Sequence, residues 1–247
     1  MKRALIVGAS VGLGRYVAAG LAKTDWQVCG VGRRDVLQED LGYEYLRADL
    51  ASWSDVENLK LRIASDAPDL VVYSAAMYAE ADPGKETTGE LETLFRVNAI
   101  APYVLLYDYL SAAKEDLRTC IVVNSDAIYH ASVQSGVYAA SKAALRVFAT
   151  VLAQAAKSKN AAAATLLLGP LADERKLSEF KKIAEKRNLG TSDVARIFLE
   201  RSNPSFVVDA LLEFECVLES IRYIVSLGRA ANGMMCKLDG GSSGSLV

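Results

Sequence analysis

The sequence predicts one α/β domain, a doubly wound parallel β-sheet with helices on both faces. Three observations lead there. Short apolar runs alternate with longer amphipathic segments, the pattern of parallel strands joined by helical crossovers. The first run passes directly into a glycine-rich turn and then a helical repeat. The third is size: 247 residues, 51% of them hydrophobic, can bury a large core, and a single doubly wound domain reaches this length, so 1–247 reads as one domain.

Residues 4–7, Ala-Leu-Ile-Val, are the first strand. They feed Gly8-Ala9-Ser10-Val11-Gly12-Leu13-Gly14, and residues 15–23 then show helical spacing. Glycine permits positive φ and close approach of backbone to a ligand, while the first turn of a helix points unpaired N–H groups at an anion. The pyrophosphate of a dinucleotide fits that description, with Gly8, Ser10, Gly12, Leu13 and Gly14 as its candidate contacts. The alternative is a glycine turn that merely joins a strand to a helix.

Residues 27–31, 44–46, 70–73 and 120–124 supply the next four strands, each short, apolar and bounded by turn or helix patterns. Residues 164–168 are the sixth and 235–238 the last. The alanines at 161–164 favour helix by propensity. Right-handed crossovers then give a Rossmann-like sandwich whose ligand cleft lies at the carboxyl ends of the strands, where the glycine turn, Ser74 and Ser125 fall. Residues 170–205 form the least regular stretch. Their charges at 173–176 and 181–187 read first as a solvated helix face.

The middle of the chain carries chemistry. Tyr138-Ala139-Ala140-Ser141-Lys142 sits in a helical pattern, and Ser125 lies 138 − 125 = 13 positions before the tyrosine. Residues four apart share a helix face, so the Tyr138 hydroxyl and the Lys142 ammonium can reach one cleft. A nearby cation stabilises a phenolate and brings tyrosine closer to proton transfer at neutral pH. The bland alternative is two half-exposed side chains on an amphipathic helix.

With these groups in this order the chain resembles the short-chain dehydrogenase/reductase family over nearly its whole length. The glycine motif has the family's GxxxGxG spacing in Gly8, Gly12 and Gly14. Asp49-Leu50 follows the third strand, where the family holds adenine, and Ser74-Ala75-Ala76 is similar to its Asn-Ala-Gly segment. Val97-Asn98 matches its helix asparagine, and Asp239-Gly240-Gly241 its ending. The alanine-rich sixth strand is read as a strand partly on this resemblance.

The resemblance implies interconversion of a ketone and a secondary alcohol by hydride transfer, with a small-molecule carbonyl or alcohol as substrate. Ser125 would hydrogen-bond the carbonyl oxygen and Tyr138 would deliver the proton. Lys142 would hold the nicotinamide ribose and lower the tyrosine pKa, and Asn98 would keep a water beside Lys142. Tyr138, Lys142, Pro170 and Leu171 would also touch the cofactor, and 170–205 would be a lid with Leu177, Phe180, Ile183 and Ala184 as its apolar underside. The family's Pro-Gly and threonine are replaced here by Gly169-Pro170-Leu171-Ala172-Asp173-Glu174, and Tyr73 and Asn124 replace more usual residues. A degenerate member that binds dinucleotide as a sensor or scaffold without turnover is the alternative.

Cofactor choice is read at the end of the second strand. NAD-selecting enzymes place an acid there to bind the ribose hydroxyls, whereas this chain has Gly32 followed by Arg33. A guanidinium can bind a 2′-phosphate by charge-assisted hydrogen bonds, which points to NADP(H) rather than NAD(H). The competing reading is that Arg33 and Arg34 are a solvated basic pair.

A net charge of −2 gives no reason to expect nucleic acid or an anionic membrane surface. No apolar stretch reads as long enough to span a bilayer, and the first strand leaves no room for a signal peptide, so the expected place is the cytoplasm. Cys29, Cys120, Cys216 and Cys236 are scattered and read as reduced core residues, and with one histidine, His130, no metal site is expected. His130 reads as a solvated loop residue, the alternative being a role in substrate binding, since the resemblance implies that this loop borders the substrate. Family members associate as tetramers or dimers through helices that here would be 90–110 and 137–156, the latter offering Ala140, Ala144, Phe148 and Val151.

Overall fold

The computed structural model describes residues 1–36, 41–79 and 82–244. Its strands are β1 Lys2–Val7, β2 Trp26–Gly32, β3 Glu44–Arg47, β4 Leu70–Tyr73, β5 Arg118–Ser125, β6 Ala161–Leu168 and β7 Met235–Leu238. They form one parallel sheet in the order β3-β2-β1-β4-β5-β6-β7. The order reverses between β1 and β4, and a crevice opens at the carboxyl ends of such a pair.

Alternation along each strand builds two apolar layers. Leu5 and Val7 of β1, Val71 and Tyr73 of β4, and Cys120 and Val122 of β5 face helices α2 (Trp53–Asp66), α4 (Ala101–Ser111) and α5 (Gly136–Lys157). Ala4, Ile6, Leu70, Val72, Ile121 and Val123 face α1 (Gly12–Ala22) and α8 (Phe214–Ser226). A sheet covered on both faces needs apolar side chains in both directions, which accounts for the continuous hydrophobic runs.

The alanine run of β6 shows tertiary context overriding propensity. Ala161–Ala164 pairs residue by residue with Arg118–Ile121 and is almost wholly buried. Before β7 begins, Asn232 stands in for a strand, its Oδ1 accepting the Ala163 N–H at 3.0 Å, while the Ala163 carbonyl accepts from Gly233. Helix would forfeit these partners and the packing.

The helical region expected over 90–110 is interrupted. α3 (Thr88–Phe95) starts on a reciprocal Thr87–Glu90 capping box and runs into a wide turn at Arg96–Ile100 before α4 begins. In that turn the Ala101 N–H bonds the Arg96 carbonyl, five residues back. Such an insertion rotates the following side chains and is frequent at functional sites. Asn98 lies in it.

The stretch 170–205 is more regular than the sequence suggests. It holds α6 (Glu174–Arg187), capped by Asp173 and ended by Asn188 in the left-handed region, and α7 (Thr191–Ser202). Phe180 and Ala184 pack with Val194, Ala195 and Leu199 in a small core of their own, with Ile183 against it, whereas Leu177 is exposed. The apolar residues expected as the underside of a lid therefore serve mainly to join the two helices. The helix Gly136–Lys157 is also long and apolar enough to cross a membrane by length and composition, contrary to the expectation for the chain. Here its Leu145, Leu152 and Ala156 cover the sheet.

Candidate active site

The glycine turn has no room for side chains where backbone must approach backbone. At Gly8, with φ of 98°, an added Cβ would lie 2.6 Å from the Ala75 nitrogen, and at Gly14 it would lie 2.2 Å from the Gly8 carbonyl. Ser74 locks this junction, its N–H and its hydroxyl each donating to the Val7 carbonyl at 2.9 Å. Val11, at the N-cap of α1, makes no side-chain cap, so the N-terminal N–H groups of the helix are left to other acceptors. Ser10 and Leu13 lie on the same turn. These residues fit the pyrophosphate of a dinucleotide.

At the end of β2 the lack of an acidic side chain has a packing cause. An added Cβ on Gly32 would lie 2.6 Å from the Tyr45 hydroxyl and 3.1 Å from Ser10 Cβ. Arg33 follows, exposed, and makes no ion pair among the described residues. Asp49 is half-buried with its Oδ1 accepting the Ala51 N–H at 3.0 Å, whereas Leu50 is buried in the core. Ala75 is half-buried and Ala76 exposed after β4.

Three elements, the wide turn Arg96–Ile100, β5 and α5, bring Asn98, Ser125, Tyr138 and Lys142 towards one place. Asn98 is fully buried: its Oδ1 accepts the Met77 N–H at 2.7 Å, and its Nδ2 donates to the Met77 carbonyl at 2.8 Å and to Ser141 Oγ at 2.9 Å. Ser141 in turn donates to the Tyr138 carbonyl at 2.7 Å. Asn124, one of the residues unusual for the family, braces two catalytic candidates: its Oδ1 accepts the Ser125 N–H at 2.8 Å and its Nδ2 donates to the Lys142 carbonyl at 3.1 Å. Tyr73, the other, donates to the Val97 carbonyl at 2.6 Å.

The electrostatics differ from the expectation that Lys142 depresses the phenol. Burial pushes Tyr138 well above its ordinary value, the Tyr78 phenol adds to the rise, and the Ser125 hydroxyl opposes it. Lys142 stands 5.9 Å from the ring centroid and donates to the Val123 carbonyl at 3.0 Å. It makes no ion pair among the described residues, and burial lowers its own pKa to about 8. Burial is the leading cause of both shifts, and Lys142 is not among the groups that move Tyr138.

Pro170 and Leu171 are tied down by backbone. The Pro170 carbonyl accepts the Leu212 N–H at 2.9 Å, and Leu171 bridges to Leu212. His130 is a bonded residue rather than a solvated one: its Nε2 contacts the Ser242 carbonyl and lies 2.7 Å from Asn203 Nδ2. Cys120 is buried, but Cys216 is exposed, against the expectation of a core residue; all four thiols are free. Among the described residues no cluster of metal-ligating side chains occurs.

Sequence reasoning missed Tyr78, which lies against Tyr138 with ring centroids 4.3 Å apart and planes 20° from parallel. A cavity of about 180 Å³ adjoins it, lined by Met77, Ala79, Leu91 and Leu94 among others. It also missed Ser141 and Tyr45. Ser141 was legible only as the fourth letter of the Tyr138–Lys142 repeat, and nothing in spacing singles out the two tyrosines.

A family model described as short chain dehydrogenase matches residues 2–181. D-erythrulose reductase of Gallus gallus is 32% identical over 162 residues, 62% of this chain and 64% of that protein, so the match spans less than two thirds of the relative's length. A 4-hydroxyisoleucine dehydrogenase complexed with NADH superposes with a TM-score of 0.82 at 16% identity, covering 98% of this chain and 99% of that one. L-Sorbose reductase from Gluconobacter frateurii, complexed with NADPH and L-sorbose, gives 0.80 at 17% identity over 99% and 97%. At these identities the two structures show a shared fold.

Proposed function

Because the chain belongs to the short-chain dehydrogenase family, we propose that it is an NADP(H)-dependent oxidoreductase interconverting a ketone and a secondary alcohol, with Tyr138 as the acid and base. The observation that carries this is Lys142, on the same helix as Tyr138, a fully buried ammonium whose one hydrogen-bond partner among the described residues is the Val123 carbonyl. Burying an unpaired cation is costly, and a ribose hydroxyl beside it gives that cost a purpose.

The bound cofactor supplies the hydride. Gly8, Ser10, Gly12, Leu13 and Gly14 would hold its pyrophosphate, Arg33 its 2′-phosphate, Ser74, Ala75 and Ala76 its ribose side, and Asp49 its adenine end. Leu50 would support Asp49 from the core, while Pro170 and Leu171 would border the nicotinamide. Ser125 Oγ accepts the Ala127 N–H at 3.2 Å, and its own proton points only weakly at Asp126, 3.4 Å away, so it can turn to a carbonyl oxygen. Burial keeps Tyr138 protonated at neutral pH, the state that delivers a proton to a developing alkoxide. Asn98 fixes the turn beside Lys142 and, through Ser141, the backbone of Tyr138.

The names of the relatives make D-erythrulose and L-sorbose the first substrates to try. Purified protein with NADPH should oxidise it in the presence of at least one ketone of a panel containing both. Cofactor binding by calorimetry without turnover of any ketone would refute the oxidoreductase and favour a sensor.

We place the enzyme in the cytoplasm, with no nucleic-acid or membrane partner, as a homotetramer or homodimer. The α4–α5 face supports association: Tyr107 and Val147 are exposed there, while Ala144, Phe148 and Val151 are half-buried. Light scattering at micromolar concentration should give a multiple of the 26.6 kDa chain; a monomer would overturn the association.

A further inference from the structure

We infer that the Tyr45 hydroxyl is a ligand for the 2′-phosphate of the cofactor and, by occupying the seat of the missing acidic side chain, sets cofactor choice. The inference rests on the NADP(H) reading above and deepens it.

The geometry comes from matched spacing on neighbouring strands. β2 carries Gly30 and Gly32; Tyr43 immediately precedes β3 and Tyr45 lies within it, and β3 pairs with β2 in parallel, Gly30 opposite Tyr45. Residues two apart share a sheet face. An added Cβ on Gly30 would meet Tyr43 Cε2 at 2.6 Å, and one on Gly32 would meet the Tyr45 hydroxyl at the same distance. The glycines are seats for the two tyrosines.

The two rings end differently. The Tyr43 hydroxyl donates to the buried Ala9 carbonyl at 3.0 Å and is internal bracing. The Tyr45 hydroxyl donates to the carbonyl of exposed Arg34 at 3.0 Å, at the point where the second strand ends and an acid would otherwise meet the ribose 2′ oxygen. Ser10 of the glycine turn lies beside it.

Proton counting favours a phosphate. A 2′-phosphate brings acceptors only, so its neighbours must donate. Tyr45 can turn its single proton from the Arg34 carbonyl to a phosphate oxygen, because water can satisfy a carbonyl on an exposed residue. Burial raises the Tyr45 pKa, which keeps that proton in place at neutral pH. Arg33 adds the charge, and the hydroxyl adds direction.

The test is calorimetric binding of NADP+, NAD+, 2′,5′-ADP and 5′-ADP to the unmodified protein, Tyr45→Phe and Tyr43→Phe. Tyr45→Phe should weaken NADP+ and 2′,5′-ADP about tenfold or more, the size of a lost hydrogen bond to a charged group, and NAD+ and 5′-ADP less than about threefold. Tyr43→Phe should move all four together. Equal weakening of phosphorylated and unphosphorylated ligands by Tyr45→Phe, or none, overturns the inference. A preference for NAD+ in the unmodified protein overturns the NADP(H) reading itself, and the inference with it, before any variant is made. Should Tyr45→Phe not fold, the near-ultraviolet tyrosine band of the unmodified protein decides: a perturbation by 2′,5′-ADP beyond that of 5′-ADP supports the contact, and identical spectra overturn it.

Discussion

Tyr73 donates its hydroxyl to the carbonyl of Val97 at 2.6 Å, and so ties the end of β4 to the wide turn that carries Asn98. The bond answers a local deficit. The Ala101 N–H, which would serve Val97 in a regular helix, is drawn to Arg96, and Pro102 has no N–H to offer. Tyr73→Phe keeps the ring in the core but leaves that carbonyl bare. Chemical denaturation should show a loss of about 1–3 kcal/mol. Turnover should fall with it through displacement of Asn98; unchanged stability would mean that water replaces the hydroxyl at no cost.

Burial of Lys142 makes a pH prediction with a definite sign. Its pKa falls from the ordinary 10.5 to about 8 in the folded protein. Between those values the unfolded chain holds more protons, so its contribution to stability rises with pH from about 8 to 10.5 and is least favourable below 8. The full span is worth about 3 kcal/mol. Lys142→Met should therefore be more stable than the parent at pH 7, and its advantage should shrink as pH rises through this window. Parallel stability curves for the two proteins would contradict the prediction.

Cofactor choice gives a prediction that the sequence alone would have framed too simply. Arg33→Ala should raise the Michaelis constant for NADPH much more than for NADH, by about tenfold or more, as expected for loss of a charge-assisted bond. Gly32→Asp alone should impair both cofactors, because the new Cβ starts 2.6 Å from the Tyr45 hydroxyl. Paired with Tyr45→Ala it should shift preference towards NADH. A clean shift to NADH from Gly32→Asp alone would show that Tyr45 yields easily.

The centre of the sheet was legible because both faces of it are covered, so that β4 and β6 and most of β1 and β5 read as apolar runs, whereas the edge strands β3 and β7 carry charged residues and are less covered. The turn after β1 can be read from its glycines, of which Gly8 and Gly14 admit no Cβ. The site was legible only in its motif residues. Their supports were not, because hydrogen bonds such as Asn124 to the Lys142 carbonyl or Asn98 to Ser141 join positions 18 and 43 residues apart, and no local pattern encodes them. The helices of 170–205 were obscured by their charge: they are amphipathic, but so rich in charged residues that the small apolar face formed by Phe180, Ala184, Val194, Ala195 and Leu199 is easily taken for part of a solvated surface. Burial also reversed one expectation. Spacing places Lys142 near Tyr138 but says nothing of the desolvation that raises the phenol and lowers the amine.

The most direct test of the central claim is Tyr138→Phe, with turnover and cofactor binding measured on the same preparation. The substitution keeps the ring that lies against Tyr78 and removes the hydroxyl that carries the transferable proton. Ketone reduction should fall by at least about 10²-fold, the usual consequence of losing a general acid, while calorimetric affinity for NADPH stays within about threefold. Turnover close to that of the unmodified protein would contradict the account, because no proton donor would then have been removed from the reacting oxygen.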